Sequence, residues 1–296
     1  MRTLIAVLCL VALPAHAALT VLACEPEWAA LVKEIGGDKV NVTSATTALQ
    51  DPHRIEARPS LIARARNADL MVCTGAQLEI GWAPLLQSQS GNAKIQAGQP
   101  GYFEAASVVS LLERPTSVDR AQGDVHPAGN PHLHLNPRNI ERVAGALIER
   151  MGAIDAREAP NYRSRGEAFL KRWRDATVRW EKEGAPLKGV GVVTYHKNLT
   201  YLFAWLGMRE LGTLEPKPGL PPSTAHLTGL LEQLQREPAK AVVRAAYNEP
   251  RAAEWLAERA HIPVVLLPFT VGGTDQAKDL FTLYDDSLAR LLALLK

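Results

Sequence analysis

Little in this sequence carries charge of one sign. Lys plus Arg number 33 against 31 Asp plus Glu, a net of +2. A nucleic-acid binder would concentrate basic charge on a face or in a tail, so that class is set aside. Long apolar runs are also lacking. The longest, 4–13 at the N-terminus, falls short of the roughly 20 residues a membrane helix needs, which argues against an integral membrane protein. Low-complexity tracts and short-period repeats are missing, and cysteine is scarce, with 3 in all. What is present is core material: 47% of the residues are apolar and 22% charged, so the chain should fold. A length of 296 residues suits one large domain or two medium ones.

The N-terminus has three parts. Met1-Arg2-Thr3 is a basic start, 4–13 is apolar, and Pro14-Ala15-His16-Ala17 ends in an Ala-x-Ala pattern. That is the form of a secretory signal peptide over 1–17, cleaved after Ala17, and it places the protein in the periplasm. Cleavage would leave Cys24 and Cys73, both at the ends of apolar runs. In an exported protein they could form a disulfide; two buried thiols is the other reading. A lipid anchor on Cys24 fits poorly, because Leu22 spoils the required pattern.

Downstream, short β-rich runs alternate with helical patterns. Strands are expected over 19–24, 40–45, 70–74, 189–194, 241–245 and 264–267. Helices are expected over 27–36, 60–67, 81–88, 199–206, 226–236, 249–259 and 277–295. Such alternation implies βαβ units and mostly parallel sheets flanked by helices, an α/β fold. Between 156 and 184 the pattern changes: Phe169, Trp173, Ala176 and Trp180 recur at helical spacing with charges between them. This reads as one long amphipathic helix whose Trp stripe is core. The expected organisation is an N-terminal lobe over 18–155, a linking helix over 156–184 and a C-terminal lobe over 185–296. One long rigid helix would then join the two lobes.

The histidines are the candidate chemistry. His53 lies in Asp51-Pro52-His53, a loop after a strand, and His196 directly follows the strand 190–194. His132 and His134 lie in Asn130-Pro131-His132-Leu133-His134-Leu135-Asn136-Pro137, and Asp275 in the glycine-loosened loop Val271-Gly272-Gly273-Thr274-Asp275. In parallel α/β sheets, ligands bind beyond the carboxyl ends of the strands. Three imidazoles and a carboxylate there suit Zn²⁺, which takes nitrogen ligands in a tetrahedron. Spacing alone does not make a local metal motif. His226 and His261 read as structural, and Glu25 and Glu27 sit near the same edge in a possible supporting role.

In order along the chain, these segments resemble the periplasmic substrate-binding proteins of bacterial zinc and manganese ABC transporters. Asp51-Pro52-His53 with Arg58-Pro59-Ser60 is similar to that family's first-ligand segment. The segment from Asn130 to Pro137 resembles the second, Tyr195-His196 with Tyr201-Leu202-Phe203 the third, and Phe269-Thr270 leading to Asp275 the fourth. The resemblance implies one metal ion in the interlobe cleft, held by His53, His132, His196 and Asp275 and passed to a membrane permease by a monomer that is no enzyme. Three histidines favour zinc over manganese, whose receptors tend to use a second carboxylate. His134 stands where the family usually has Trp and could replace or supplement His132. Asp279 rivals Asp275, and His126 is the only histidine of a shortened metal-collecting loop over 119–129. A secreted zinc hydrolase is the alternative from another class, weakened by the lack of a His-Glu-x-x-His helix; a receptor for manganese or a metal chelate is the third.

Overall fold

The computed structural model describes residues 17–116, 123 and 125–296. The expected leader therefore lies outside the described residues, Ala17 excepted.

The described residues build two four-stranded sheets, each wholly parallel. The first contains β1 (Leu19–Ala23), β2 (Val40–Ser44), β3 (Leu70–Cys73) and β4 (Tyr102–Glu104) in the order β2-β1-β3-β4. The second contains β5 (Gly191–Thr194), β6 (Arg209–Thr213), β7 (Val242–Arg244) and β8 (Val264–Leu266) in the order β6-β5-β7-β8. The inner strands β3 and β5 are buried at every residue, as unbroken apolar runs in a sheet covered on both faces must be. In each sheet the order reverses beside the first strand, which opens a crevice at the carboxyl edge. Strands β4 and β6 were not legible as strands. The first is only three residues long, and the second, Arg-Glu-Leu-Gly-Thr, is polar and glycine-interrupted because it lies at a sheet edge.

Helices α1 (Pro26–Gly36), α2 (Pro59–Arg66), α3 (Ala83–Ser90) and α4 (Pro137–Ile154) accompany the first sheet. The second carries α6 (Thr200–Leu206), α7 (Thr224–Arg236), α8 (Pro250–Ala260) and α9 (Leu280–Leu292). Helix starts follow the sequence chemistry. Asn136 caps α4 by accepting from Arg138 N, with Pro137 in the first turn; Ser223 caps α7 by accepting from His226 N.

Helix α5 (Ala159–Gly184) runs between the lobes, about 39 Å of rod at 1.5 Å per residue. Its apolar stripe is fully buried. Trp173 meets Trp180 edge-on at 5.1 Å, and Trp180 stacks on Tyr284 of α9 at 4.8 Å. The indole N–H groups do not go unpaired: Trp173 donates to the Pro137 carbonyl (2.8 Å) and Trp180 to Asp285 (2.6 Å). One continuous apolar cluster runs from Val21 and Val72 of the first sheet through α5 to Val192 and Val243 of the second. The two sheets thus share a core.

Cys24 and Cys73 form a disulfide at the ends of β1 and β3, with Cα atoms 4.8 Å apart. Beside it, Glu25 and Glu79 are both buried. Thr74 N and Gly75 N donate to Glu79 (2.7 and 3.1 Å), and Thr74 Oγ1 donates to Glu25 (3.1 Å). Burial pushes the Glu79 carboxyl up to about 7. Burial, followed by the charges of Glu79 and Glu27, raises Glu25 as well.

Candidate metal centre

Three loops at the carboxyl edges of the sheets bring His53, His132 and His196 together, with ligand atoms all within 4.8 Å of one another. The ring centroids form a nearly equilateral triangle: 5.4 Å for His53–His132, 5.6 Å for His53–His196 and 5.3 Å for His132–His196.

Each ring is oriented by an oxygen on its Nδ1 side. His53 Nδ1 lies 2.8 Å from Asp51 Oδ1, which also accepts the His53 backbone N–H at 3.0 Å. Asn130 Oδ1 treats His132 the same way, at 2.8 Å to Nδ1 and 3.0 Å to the backbone N–H. His196 Nδ1 lies 2.7 Å from Glu215 Oε2. Since carboxylate and amide oxygens only accept, each Nδ1 is the donor, and in the neutral ring that leaves the lone pair on Nε2. This is the outer-shell pattern of metal-ligating histidines. His132 Nε2 is buried and has no hydrogen-bond partner among the described residues, as a ligand atom awaiting a cation would. Burial, then the charges of His196 and His53, holds the His132 imidazole well below its ordinary pKa, so it stays neutral and able to ligate. Burial would raise Asp51, but its hydrogen bond to His53 and the charge of that ring outweigh it and leave the carboxyl below its usual value.

The supports extend outward. Trp82 Nε1 donates to the Pro52 carbonyl at 2.8 Å and pins the His53 loop. Asn130 Nδ2 donates to Glu113 Oε2 (2.9 Å) and to the Lys197 carbonyl (2.8 Å), which ties the His132 segment to the residue after His196.

The remaining candidates are placed differently. Asp275 sits exposed on the loop between β8 and α9, outside the converging triad. Asp279 caps α9, accepting from Thr282 N at 2.8 Å. His134 turns away into the core: its Nε2 lies 2.8 Å from the Phe269 carbonyl, and its Nδ1 is 3.1 Å from Glu27 Oε1, off the hydrogen-bond direction. Glu27 in turn accepts from Thr270 at 2.5 Å, so it braces α1 against the second lobe. His126 comes close instead, with its Nε2 3.2 Å from His53 Nε2. Burial, then the charges of His53 and His196, lowers its pKa to about 4. His226 lies in α7 and donates to or accepts from nothing in the triad, its Nε2 being 2.8 Å from the Thr213 carbonyl. His261 closes α8 in a left-handed conformation.

The orienting residues escaped the sequence reading, yet two had a signal. Asp51-Pro52-His53 and Asn130-Pro131-His132 share one pattern, an oxygen acceptor two residues before the histidine with proline between. Glu215 had none, since it follows the unrecognised strand β6.

The family described as "Zinc-uptake complex component A periplasmic" (ZnuA) matches residues 21–293. The chain belongs to that family. Among its relatives, the manganese ABC transporter substrate-binding lipoprotein PsaA of Streptococcus mitis is 23% identical over 267 residues, covering 88% of this chain and 83% of that one. The high-affinity zinc uptake system protein ZnuA of Yersinia pestis is 23% identical over 232 residues, covering 71% and 70%. A crystal structure of ZnuA superposes with a TM-score of 0.76 at 19% identity, covering 93% of this chain and 99% of the other. A Mn-bound periplasmic metal-binding protein from Candidatus Liberibacter asiaticus reaches 0.75 at 18% identity, with 93% and 99% covered. ZnuA-family membership makes this chain a metal-binding, substrate-binding component of the ABC-transporter type and not an enzyme, with zinc and manganese both represented among its relatives.

Proposed function

We propose that this ZnuA-family chain is a periplasmic zinc receptor that delivers its ion to an ABC-type membrane permease. In this reading the chain acts as a monomer after removal of 1–17. Among the described residues, no helix is long and apolar enough to cross a membrane. The observation that carries the reading is the triad: three imidazoles with Nδ1 held by Asp51, Asn130 and Glu215 and with Nε2 left to ligate. Zinc binds imidazole nitrogen at about 2.0–2.1 Å, whereas manganese prefers oxygen donors. A donor set of three nitrogens favours zinc.

The fourth position is assigned to Asp275, brought in from its exposed loop when the ion binds; His126 is the competing donor, already beside His53. Calorimetry on the apoprotein tests the reading, with Zn²⁺ and Mn²⁺ titrated separately and in competition. Zinc should bind at one site and resist displacement by manganese. Asp275→Ala should weaken zinc more than His126→Ala does. Failure to bind zinc at micromolar concentration, or displacement of zinc by equimolar manganese, contradicts it.

A further inference from the structure

The segment 216–222, which holds Pro216, Pro218, Pro221 and Pro222, crosses the cleft beside the triad. A cavity of about 350 Å³ lies on one side, lined in part by His132, His196, Pro216 and Pro218. Another of about 240 Å³ lies on the other, lined in part by His53, His196, Gly219 and Pro221. Both cavities reach the histidines, and residues of the segment line each of them.

Gly219, near its middle, is held through both its N–H and its carbonyl. Gly219 N donates to Glu215 Oε2 at 3.0 Å, the oxygen that also accepts the His196 Nδ1–H. The Gly219 carbonyl accepts from the Arg54 guanidinium at 3.0 Å, and Arg54 is the neighbour of His53. Gly219 adopts φ +76°, which favours glycine, and a Cβ at Gly123 would lie 2.3 Å from the Pro218 carbonyl. Prolines fix φ and stiffen the segment, so it is suited to move as one piece. A single residue, through its N–H and its carbonyl, therefore joins the carboxylate behind one metal-facing ring to the residue beside another, and the two rings come from different lobes.

We propose that 216–222 is a gate over the metal centre, clasped at Gly219 by the positioning residues Arg54 and Glu215, and that the ion exchanges only when the clasp opens. The proposal rests on the zinc reading above. A clasp made equally in the empty and loaded protein slows entry and exit together and cancels from the equilibrium.

Stopped-flow measurement of zinc association, and of dissociation into a fluorescent chelator, tests the gate on the mature chain. Arg54 is exposed, so Arg54→Met should fold. High ionic strength keeps the lost positive charge from altering the cation's approach. Arg54→Met should speed both association and dissociation about tenfold, the worth of one charge-assisted hydrogen bond, with Kd within about twofold of wild type. Arg54→Lys, which keeps a donor, should fall between. Rates unchanged in Arg54→Met overturn the gate. So does faster dissociation alone with Kd weakened in proportion, which would make Arg54 part of the binding strength. A wild-type protein that takes no zinc overturns the reading beneath the gate, while zinc binding with unaltered exchange overturns the gate alone.

Discussion

At the residue scale, the centre depends on which ring nitrogen is free. Asp51, Asn130 and Glu215 decide that by accepting from Nδ1, so they matter to metal affinity without touching the ion. Asn130→Ala removes the oxygen that orients His132 and should weaken zinc binding about 10- to 100-fold, the usual effect of losing such a partner. Calorimetry on the variant checks it; an unchanged Kd would mean the ring is held by its packing, against Phe269 and the other two imidazoles, without the amide. The three histidines were legible in the sequence because each follows a strand or stands in a proline-flanked turn. Glu215 was not, since it reaches His196 only through a sheet pairing that polar β6 concealed. His134 was misleading in the sequence for a related reason: two residues from His132, it appears interchangeable with it. The turn over Leu133–Leu135 sends the two rings in different directions, one into the cleft and the other to Phe269 and Glu27.

Among the elements, the β1–β3 edge combines a disulfide with a buried pair of carboxyls. The pairing of Cys24 and Cys73 was one of two open readings, because sequence alone does not say that β1 and β3 are neighbours. With a sequence separation of 49 between the two cysteines, loop-closure entropy gives about 4 kcal/mol for the cross-link. Cys24→Ala with Cys73→Ala should therefore lower unfolding stability by roughly 2–4 kcal/mol in denaturant titrations; no change would show that strain or residual unfolded structure offsets it. Glu25 and Glu79 add a pH dependence of known sign. Both have folded-state values raised by burial, Glu79 to about 7 from 4.5. Such a group contributes fully below its unfolded value, and its contribution fades as pH rises through the folded one. Melting temperature should therefore fall between about pH 4.5 and pH 7. Glu25→Gln, which leaves a donor facing Glu79, should flatten that fall in thermal scans. A variant whose melting curve tracks wild type across that range would show that other groups set the dependence.

Over the whole molecule, the two sheets are not independent lobes on a hinge. Their apolar surfaces merge through α5, and Glu27–Thr270 and His134–Phe269 bridge them again beside the centre. The alternation of strands and helices made the α/β class readable, and the Trp stripe announced α5. The shared core was not readable, because it depends on Tyr284 and its neighbours arriving from the far end of the chain to meet Trp173 and Trp180. Trp180→Ala should cost about 3–5 kcal/mol and destabilise both sheets in one transition. Two separated transitions in calorimetric scans would contradict the shared core. The same merging limits opening, so metal loading should rearrange loops such as the one bearing Asp275 with only a small tilt between sheets.

The most direct test is a crystal of the zinc-loaded protein with anomalous differences collected at the zinc edge. One strong peak is expected about 2.0–2.1 Å from the Nε2 atoms of His53, His132 and His196 together. A peak that leaves any of those three nitrogens unbound, or one centred elsewhere in the molecule, would contradict it.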